Sequence, residues 1–401
     1  MAMATPTKPL DAGSLARSVA DDVEIVRRVL AHIDAGTTDE GVAWREPVEN
    51  YLDPARFATE MRMLRAMPSV FVPSAAIPNP GDHVERTAFG VPLFAVRGRD
   101  HRARVFRNAC RHRGFTLVEG SGCAKALVCR YHGWTYRLDG SLAHVPYRDA
   151  FPDLDMAARG LVEVPSHEAD GLIVIEALAG GSPQSAGDAA LAWLTDGSAW
   201  HDKLVPARQL VQVDSTLRAM NWKVLVEQFL EGYHIRWTHQ NTFFPLQYDD
   251  LNVVEQFGPN CRITFPYRNI ERLRDRPESS WTTDARVTYL YQLFPNVMLA
   301  TFPDLMLVVV IDPVDVGHST VVIYSLVKPE VAERISGDSR DAAGTLIARG
   351  AIEDNEMSEG VQRGLHSGAN EFVEFGRHES AIGHFHAVLD ERLSRLSEPV
   401  F

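Results

Sequence analysis

The chain has 401 residues, of which 45% are hydrophobic and 23% are charged, and its formal net charge at pH 7 is −13. This length predicts two or three domains with a substantial core, and the composition is that of a soluble globular protein. The acidic balance argues against a nucleic-acid partner. No apolar run reaches the roughly twenty residues of a membrane span, so we expect no membrane partner.

The N-terminal residues lack the charged and apolar regions of a secretion signal, and the chain has only four cysteines. Four cysteines do not make a disulfide framework in a chain of this size. We therefore expect a cytoplasmic protein in which Cys123 and Cys261 remain reduced thiols.

Two helices are predicted near the start of the chain, over residues 21–35 and 54–66. The first carries apolar side chains at a spacing of three and four residues, which predicts a buried stripe of Ile25, Val26, Val29, Leu30 and Ile33. From residue 70 to residue 175 the pattern changes to short β-rich runs, with strands expected at 91–97, 104–106, 126–129 and 171–175. These runs predict a small all-β domain, followed by a loop or linker at 180–183.

The second half of the chain predicts a different organisation. A helix is expected over residues 217–234, and two more over about 340–365 and 379–395. Strands are predicted at 288–293, 297–302, 305–311 and 320–327, because β-rich runs there are broken by prolines. Antiparallel strands wrapped by helices would form an α+β domain with an interior large enough for a ligand.

Two short clusters of cysteine and histidine lie inside the β-rich region. Cys110 and His112 form a C-x-H motif, Cys129 and His132 form a C-x-x-H motif, and sixteen residues separate the two motifs. Such a set can bind one zinc ion tetrahedrally, or hold a [2Fe–2S] cluster in which one iron takes both cysteines and the other both histidines. The order of the ligands differs from that of zinc fingers, and we favour the cluster.

The residues beside these motifs fit loops that enclose a cluster. Gly114 and Gly133 would let each loop turn tightly. Trp134 and Tyr136 would shield the cluster, with an N–H and an O–H free to form hydrogen bonds. With these neighbours, segments 108–114 and 129–136 resemble the two cluster-binding loops of the Rieske iron–sulfur family.

The segment 221–239 carries a second candidate site. Glu231 and His234 are three residues apart, so on a helix they would share one face. His234 and His239 are five residues apart, or about 140° around an ideal helix, so the helix must end, unwind or bulge if both are to reach one metal ion. Two histidines and a carboxylate are the usual ligands of a non-haem Fe(II) oxygen site. The alternative is two unrelated histidines near the end of a helix.

A third ligand must come from elsewhere, and Asp354 is the first candidate. On a helix, Asp354 would share an inward stripe with Met357, Val361 and Leu365, where an unpaired carboxylate is costly unless a metal ion binds it. Glu353 is the competing carboxylate. The alternative is a solvated carboxylate, or one merely paired on its own helix.

Taken together, the chain resembles the catalytic α subunit of Rieske non-haem iron oxygenases over nearly its whole length. The resemblance includes both cluster loops, the N-W-K…E-x-Y-H-x₄-H segment at 221–239, and the stretches 293–296, 353–354 and 379–386. It implies an all-β Rieske [2Fe–2S] domain at 68–177 and a helix-grip (START-like) catalytic domain with an antiparallel sheet at 178–401. Residues 1–67 would be an N-terminal helical segment of the catalytic domain, and the family often assembles as a homotrimer.

The resemblance also implies roles for the candidate residues. The two cysteines and two histidines of the loops would bind the [2Fe–2S] cluster, and His234, His239 and Asp354 would bind the mononuclear Fe(II). Glu231 would be the carboxylate that links the two centres. Electrons would come from NAD(P)H through a separate reductase or ferredoxin, because the chain has no G-x-G-x-x-G or flavin motif.

The expected function is O₂-dependent hydroxylation of a small organic, and in our first interpretation aromatic, substrate. Glu231 stands where ring-hydroxylating dioxygenases commonly have Asp, so the alternative is a quaternary-amine monooxygenase or N-demethylase. An alternative of another class is an electron-transfer or ligand-binding helix-grip protein without oxygenase activity. Possible substrate-lining residues are Phe243, Phe244, Phe265, Tyr289, Phe294 and Phe302. His384 and His386 would diverge by about 160° on a helix, so we expect them to pack or form hydrogen bonds rather than bind metal.

Overall fold

The computed structural model describes residues 19–176, 178, 208–335 and 342–397, and the linker predicted at 180–183 lies outside them. The described residues form an α+β structure with several antiparallel sheets. Its α-helices are α1 (Asp22–Ala35), α2 (Glu49–Leu52), α3 (Pro54–Ala66), α4 (Trp222–Glu227), α5 (Ile235–Thr238), α6 (Pro329–Ile335), α7 (Ala342–Leu365) and α8 (Ser380–Ser397).

The two N-terminal helices begin and end where local chemistry predicts. The Asp21 carboxylate accepts a hydrogen bond from the Glu24 N–H at the start of α1, and Gly36 ends that helix with φ of 61°. Asp53 accepts bonds from two N–H groups at the start of α3, whose first residue is Pro54. The helices predicted at 21–35 and 54–66 are therefore confirmed to within one residue.

The β-rich region consists of three small antiparallel sheets. Their strands are β2 (Ser69–Pro73), β3 (Asp82–Ala88), β4 (Val91–Arg97), β5 (Ala103–Arg107), β6 (Ser121–Cys123), β7 (Leu127–Val128), β8 (Thr135–Tyr136), β9 (Leu142–His144), β10 (Glu163–Val164), β11 (Ser166–Ala169) and β12 (Leu172–Ile175). The sheet orders are β10-β5-β4-β3-β6, β11-β12-β2 and β7-β8-β9. Because β2 pairs with β12, the first and last strands of the region are hydrogen-bonded neighbours.

The second half is built on one seven-stranded antiparallel sheet in the order β13-β19-β18-β17-β16-β15-β14. Its strands are β13 (Gln209–Arg218), β14 (Val253–Phe257), β15 (Asn260–Pro266), β16 (Val287–Leu293), β17 (Val297–Thr301), β18 (Leu305–Asp315) and β19 (His318–Val327). Helix α8 packs against α3 and strands β14 and β15. A separate pair joins β1 (Trp44–Pro47) to β20 (Phe372–Phe375), which connects the N-terminal segment to the C-terminal helices.

Polar contacts fasten the β-rich region to this sheet. The Ser69 hydroxyl lies 3.1 Å from the Asn296 side-chain oxygen, and the Asn296 amide donates to the Ile311 carbonyl at 2.8 Å. Arg86 forms a buried ion pair with Asp312. Asn296 belongs to the 293–296 stretch, so that motif contributes to the contact between the two regions.

One element differs clearly from the sequence prediction. The helix expected over 217–234 is wrong at both ends: Leu217 and Arg218 belong to strand β13, and the helix α4 spans only Trp222–Glu227. Leu217 is exposed, and it lies on an edge strand that pairs with β19. Strands β14 and β15 were not predicted at all.

Candidate metal centres

The two cysteine loops have the same backbone geometry. The N–H of Gly114 donates to the carbonyl of Cys110, and the N–H of Gly133 donates to the carbonyl of Cys129, both at 2.9 Å. Both glycines have left-handed φ angles, 79° at Gly114 and 72° at Gly133, which only glycine adopts without strain. The tight turns predicted at these two glycines are therefore present.

The four candidate cluster ligands meet at the tip of these loops. Cys110 and Cys129 are buried, whereas His132 is exposed and His112 is half-buried. The two imidazoles face each other with their Nδ1 atoms 3.1 Å apart. Among the described residues, no three His, Cys, Asp or Glu donor atoms that lie within 4.8 Å of one another include any of these four residues. The four donors are thus spread too widely for one tetrahedral zinc ion, and a two-iron cluster with thiolates inside and imidazoles outside fits them.

Tyr136 and Trp134 cover the inner side of the loops. The Tyr136 hydroxyl accepts a hydrogen bond from the Arg111 N–H at 2.9 Å and lies 3.3 Å from Cys110 Sγ, so its own proton is available to that sulfur. The Trp134 ring stacks on His112 with the ring centroids 4.9 Å apart. Burial raises the pKa of the Cys110 thiol. A bound iron would offset that cost, because it takes the thiolate form.

A break in the chain's helical structure positions the two histidines of the second site. Asn221 caps α4 by accepting from the Lys223 N–H, and α4 ends at Glu227. The chain then turns at Gly232, where an added Cβ would lie 2.6 Å from the Asn252 side-chain oxygen. His234 directly precedes the single turn of α5 and His239 directly follows it. The helix is thus interrupted as the five-residue spacing required.

His234, His239 and Asp354 form one group of converging donors. Asp354 Oδ1 lies 2.9 Å from His239 Nε2 and 3.5 Å from His234 Nε2. One donor atom from each residue lies within 4.8 Å of the others. The donor set and its spacing fit one metal ion bound on a single face.

A second carboxylate contacts the Nδ1 atom of each histidine, on the opposite side of the ring from Asp354. Glu231 contacts His234 Nδ1 and also accepts from the His234 backbone N–H at 3.1 Å. Glu353 Oε2 lies 2.8 Å from His239 Nδ1 and accepts from the Thr242 hydroxyl at 2.6 Å. Metal-binding histidines are commonly oriented in this way, which leaves Nε2 for the metal. The sequence suggested Glu353 only as a rival ligand and gave no sign of this contact.

The carboxylates of Glu231 and Asp354 dominate the electrostatics around His234. Burial opposes protonation of His234, but Glu231 and Asp354 outweigh it and raise the pKa of His234 to about 10. Burial likewise opposes ionisation of Asp354, but its hydrogen bonds with both histidines outweigh burial and lower the pKa of Asp354. A site with this much negative charge favours a cation.

The predicted inward stripe on the helix that carries Asp354 is wrong. Met357 and Val361 are each 49% exposed, and only Leu365 of the apolar set is buried. The buried face of α7 instead carries Ser358 and Gln362. Ser358 donates to the Gln228 side chain, and Gln362 accepts from the Asn221 N–H at 2.8 Å. Hydrogen bonds therefore determine which side of α7 faces the protein.

The aromatic residues suggested as substrate contacts fall into two groups. Phe243 and Phe302 line a cavity of about 450 Å³ beside the second site, and the Phe243 ring lies 4.8 Å from the His239 ring, between centroids. Phe294 is fully buried against Phe385, and Phe244, Phe265 and Tyr289 do not line the cavity. Gly350 on α7 makes room for Phe243, because an added Cβ would lie 2.4 Å from the Phe243 ring.

The remaining histidine pair lies away from the metal ligands. His386 is buried and contacts the Glu227 carboxylate at 2.7 Å. His384 is also buried. The prediction that His386 forms hydrogen bonds is therefore confirmed.

No helix in the described part of the chain combines the length and apolar character that crossing a bilayer requires.

The sequence matches two known domain families. Residues 68–165 match the Rieske [2Fe-2S] domain, and residues 194–395, half of the chain, match the ring hydroxylating alpha subunit (catalytic domain). The chain belongs to the Rieske non-haem iron oxygenase α subunits. As a member, this α subunit contains a Rieske cluster and a mononuclear iron, and it is an oxidoreductase that uses O₂. The predicted family, fold class and cofactors are confirmed.

Relatives of this α subunit include both monooxygenases and dioxygenases. The carnitine monooxygenase oxygenase subunit of Escherichia coli strain K12 is 28% identical over 362 residues, covering 86% of this chain and 93% of that protein. The 2,4-dinitrotoluene dioxygenase large oxygenase component of a Burkholderia species is 34% identical over 202 residues, covering 47% of this chain and 43% of that protein.

Solved structures share the fold. A quaternary ammonium Rieske monooxygenase in complex with L-carnitine superposes with a TM-score of 0.70 at 22% identity, covering 88% of this α subunit and 96% of that chain. Naphthalene 1,2-dioxygenase with bound indole gives a TM-score of 0.70 at 20% identity, covering 89% and 93%.

Proposed function

We propose that this α subunit hydroxylates a small organic substrate with O₂, and that His234, His239 and Asp354 bind the mononuclear iron. The observation that carries the proposal is the convergence of these three donors within 4.8 Å, with the Nδ1 atoms of both histidines already engaged by carboxylates. An Fe(II) ion bound on one face in this way leaves open positions for O₂.

We further propose that Cys110, His112, Cys129 and His132 hold the Rieske cluster, within a domain spanning 68–177. The buried thiols, the facing Nδ1 atoms and the Tyr136 hydroxyl beside Cys110 support this assignment. The flanking residues 1–67 and 178–401 would form the catalytic domain. The pairing of β2 with β12 near the two proposed boundaries agrees with this division.

Electrons would pass between two copies of the chain through Glu231, in a homotrimer. Glu231 and His234 are partly open to solvent, and the side chains of Tyr233 and Trp237 beside them are 61% and 72% exposed. His132 at the cluster tip is also exposed. Contact between the tip of one subunit and this surface of the next would cover both, and it would allow Glu231 to accept a hydrogen bond from a cluster histidine.

The first electron donor would be a separate reductase or ferredoxin that draws on NAD(P)H. A cytoplasmic location follows as part of the same proposal, because NAD(P)H must be supplied continuously. Cys123 and Cys261, the two cysteines outside the cluster loops, form no disulfide, which agrees with a reducing compartment.

Aromatic hydroxylation is our first interpretation of the reaction, and oxidation of a quaternary amine is the second. The second gains support from the glutamate at position 231 and from the carnitine monooxygenase subunits among the relatives. A turnover screen with a surrogate reductase across aromatic acids and quaternary amines would separate the two.

The test is metal analysis together with single turnover. Purified holoprotein should contain about three irons and two labile sulfides per chain, whereas a pure electron carrier would contain about two irons. Cys129→Ala should lose the visible absorption of the cluster. His239→Ala should lose the mononuclear iron and O₂-dependent product but keep the cluster spectrum. A colourless protein that carries zinc and no sulfide would refute the assignment.

A further inference from the structure

The cavity beside the mononuclear site combines an apolar wall with a cationic rim. Its apolar lining includes Phe243, Phe302, Leu346 and Ile347. Arg268 and Arg272, both exposed, also line it, and among the described residues no Asp or Glu does. In a chain with a formal net charge of −13, an acid-free cavity rim with two arginines is a local reversal of charge.

Arg268 is held in place by its neighbours rather than neutralised by an acid. Its guanidinium lies over the rings of Phe244 and Tyr248, 5.2 Å and 5.1 Å from their centroids, and donates to the Phe244 carbonyl at 3.2 Å. The nearby carboxylates are engaged elsewhere: Glu271 by the Tyr248 hydroxyl, and Asp249 by Arg236, which together with Arg268 lowers the pKa of Asp249. The two ring contacts restrict the guanidinium, and its remaining N–H groups can donate to a ligand.

Arg272 lies one turn further along the same segment. Its side chain is exposed, and it forms no ion pair with any acid in the described residues, whereas Arg274 beside it is paired with Asp34 at 2.7 Å. Two arginines in the lining of one cavity, neither of them in an ion pair within the part of the chain that the structure describes, offer N–H donors of the kind that bind a carboxylate.

One wall of the cavity adjoins the candidate metal site. Phe243 lines the cavity and its ring also contacts the ring of His239, although His234, His239 and Asp354 do not line the cavity themselves. Leu346 and Ile347 lie on α7, eight and seven residues before Asp354. That separation corresponds to about 11 Å along a helix, which is the length of a small extended organic acid.

We propose that this α subunit acts on organic carboxylates, whose carboxylate is bound by Arg268 and Arg272 while the rest of the molecule extends along the apolar wall toward His239. The inference rests on the proposed function and adds the substrate class to it. Both an aryl carboxylate and a betaine, which carries a carboxylate and a quaternary ammonium group, have the required chemistry.

The test compares matched pairs of ligands that differ only in the carboxylate. Isothermal titration of the holoprotein would use 4-phenylbutanoate against its amide, and γ-butyrobetaine against its methyl ester. The variants are Arg268→Gln, Arg272→Gln and the double variant. Arg276→Gln is the control, because Arg276 is exposed in the same segment but does not line the cavity.

At least one carboxylate should bind wild type about tenfold or more tightly than its uncharged partner, since charge-assisted hydrogen bonds are lost with the charge. The preference should disappear in the double variant and persist in Arg276→Gln. The carboxylate that binds more tightly identifies the aryl or the betaine source. Equal binding within both pairs, a preference that survives the double substitution, or no binding of either carboxylate would overturn the proposal.

Iron, sulfide and O₂ consumption measured on the same preparations separate this inference from the proposed function. A carboxylate preference without O₂-dependent product would leave the cavity assignment standing and remove the oxygenase reaction on these ligands. Product formation without any carboxylate preference would support the oxygenase reaction and overturn the carboxylate-binding role of the cavity.

Discussion

Glu353 and Asp354 are neighbours in the chain, but their carboxylates contact opposite sides of His239. Asp354 lies at Nε2, where a metal ion would bind, and Glu353 lies at Nδ1, where it orients the ring. The sequence left both residues open as ligands, because no spacing rule distinguishes adjacent acids on one helix. Their positions in the structure support different roles.

Substituting Glu353 should weaken the iron site without abolishing it. In Glu353→Gln, the affinity for Fe(II) should fall about 10- to 100-fold, because a neutral amide holds the imidazole less firmly than a carboxylate. Glu356→Gln is the control, since Glu356 is exposed on the same helix. Iron content after dialysis against graded chelator measures the effect. If Glu353→Ala loses all iron while Asp354→Ala retains it, the two roles must be exchanged.

Glu231 can be tested by a substitution that preserves its shape. Glu231→Gln should keep the fold, both metal centres and reduction of the cluster, but it should slow oxidation of the cluster by O₂ about 10- to 100-fold. The reason is that an amide accepts a weaker hydrogen bond than a carboxylate and cannot balance an imidazolium. Single-turnover absorbance of the reduced cluster with substrate bound is the measurement. Oxidation at the wild-type rate would exclude the bridging role.

At the scale of elements, α4 is anchored by the N-W-K motif at its start. The Lys223 ammonium contacts both oxygens of Glu60 on α3, at 2.9 Å and 2.8 Å, and the Trp222 N–H donates to the same carboxylate. All three residues are buried. This short helix ends four residues before Glu231, so the motif helps to position the segment that contains Glu231 and His234.

Breaking that anchor should be costly. Lys223→Met removes the buried cation that contacts both oxygens of Glu60 and leaves that carboxylate with Arg56, whose Nε lies 3.1 Å away. We therefore expect the free energy of unfolding to fall by about 3 kcal/mol, the lower end of the cost of breaking a buried ion pair. Arg62→Met on the exposed side of α3 should change it by no more than about 0.5 kcal/mol. Urea unfolding followed by tryptophan fluorescence compares the two variants, and equal stabilities would contradict an anchoring role.

The elements also mark where sequence patterns were sufficient. Helix α1 was predictable because an apolar stripe, an N-terminal Asp and a following Gly agree on its bounds. The helix predicted over 217–234 was wrong because that stretch contains the end of strand β13, the short helix α4 and a turn at Gly232. The single turn of α5 begins only after it. The α7 stripe failed because buried hydrogen bonds, rather than apolar contacts, orient that helix.

Across the whole molecule, His386 joins segments that are distant in sequence. Its ring contacts Glu227 of α4, which also accepts from the Tyr51 hydroxyl of α2 at 2.7 Å, and it lies 3.6 Å from Glu46 of β1. Burial opposes protonation of His386, but Glu227 and Glu46 outweigh it, so the pKa of His386 is raised above its usual 6.5.

This network should make stability depend on pH in a defined direction. Because the folded-state pKa is raised, the stabilisation is fully present below the unfolded-state value of 6.5 and is lost as pH rises through the higher folded-state value. The difference in thermal midpoint between wild type and His386→Gln should therefore be largest near about pH 6 and shrink toward about pH 9. A difference that grows with pH would show that the neutral ring is the stabilising form.

The cluster loops, and the set of His234, His239 and Asp354, were recognisable as candidates because most of their residues lie close together in distinctive motifs. The two arginines of the cavity were not, since Arg268 lies 74 residues before the first residue of α7 and arginines are common. Such a site depends on which loops the fold brings together, and the spacing of residues in the sequence does not show this.

The absence of a side chain at Gly350 makes room for the Phe243 ring in the cavity wall. The Phe243 ring fills the space that a side chain at position 350 would occupy, and Phe243 in turn lies against His239. A single substitution at position 350 would therefore change the cavity wall without altering any candidate ligand. In Gly350→Ala the Phe243 ring would have to move, because the added Cβ would lie 2.4 Å from it, and a smaller side chain at position 243 would relieve that contact.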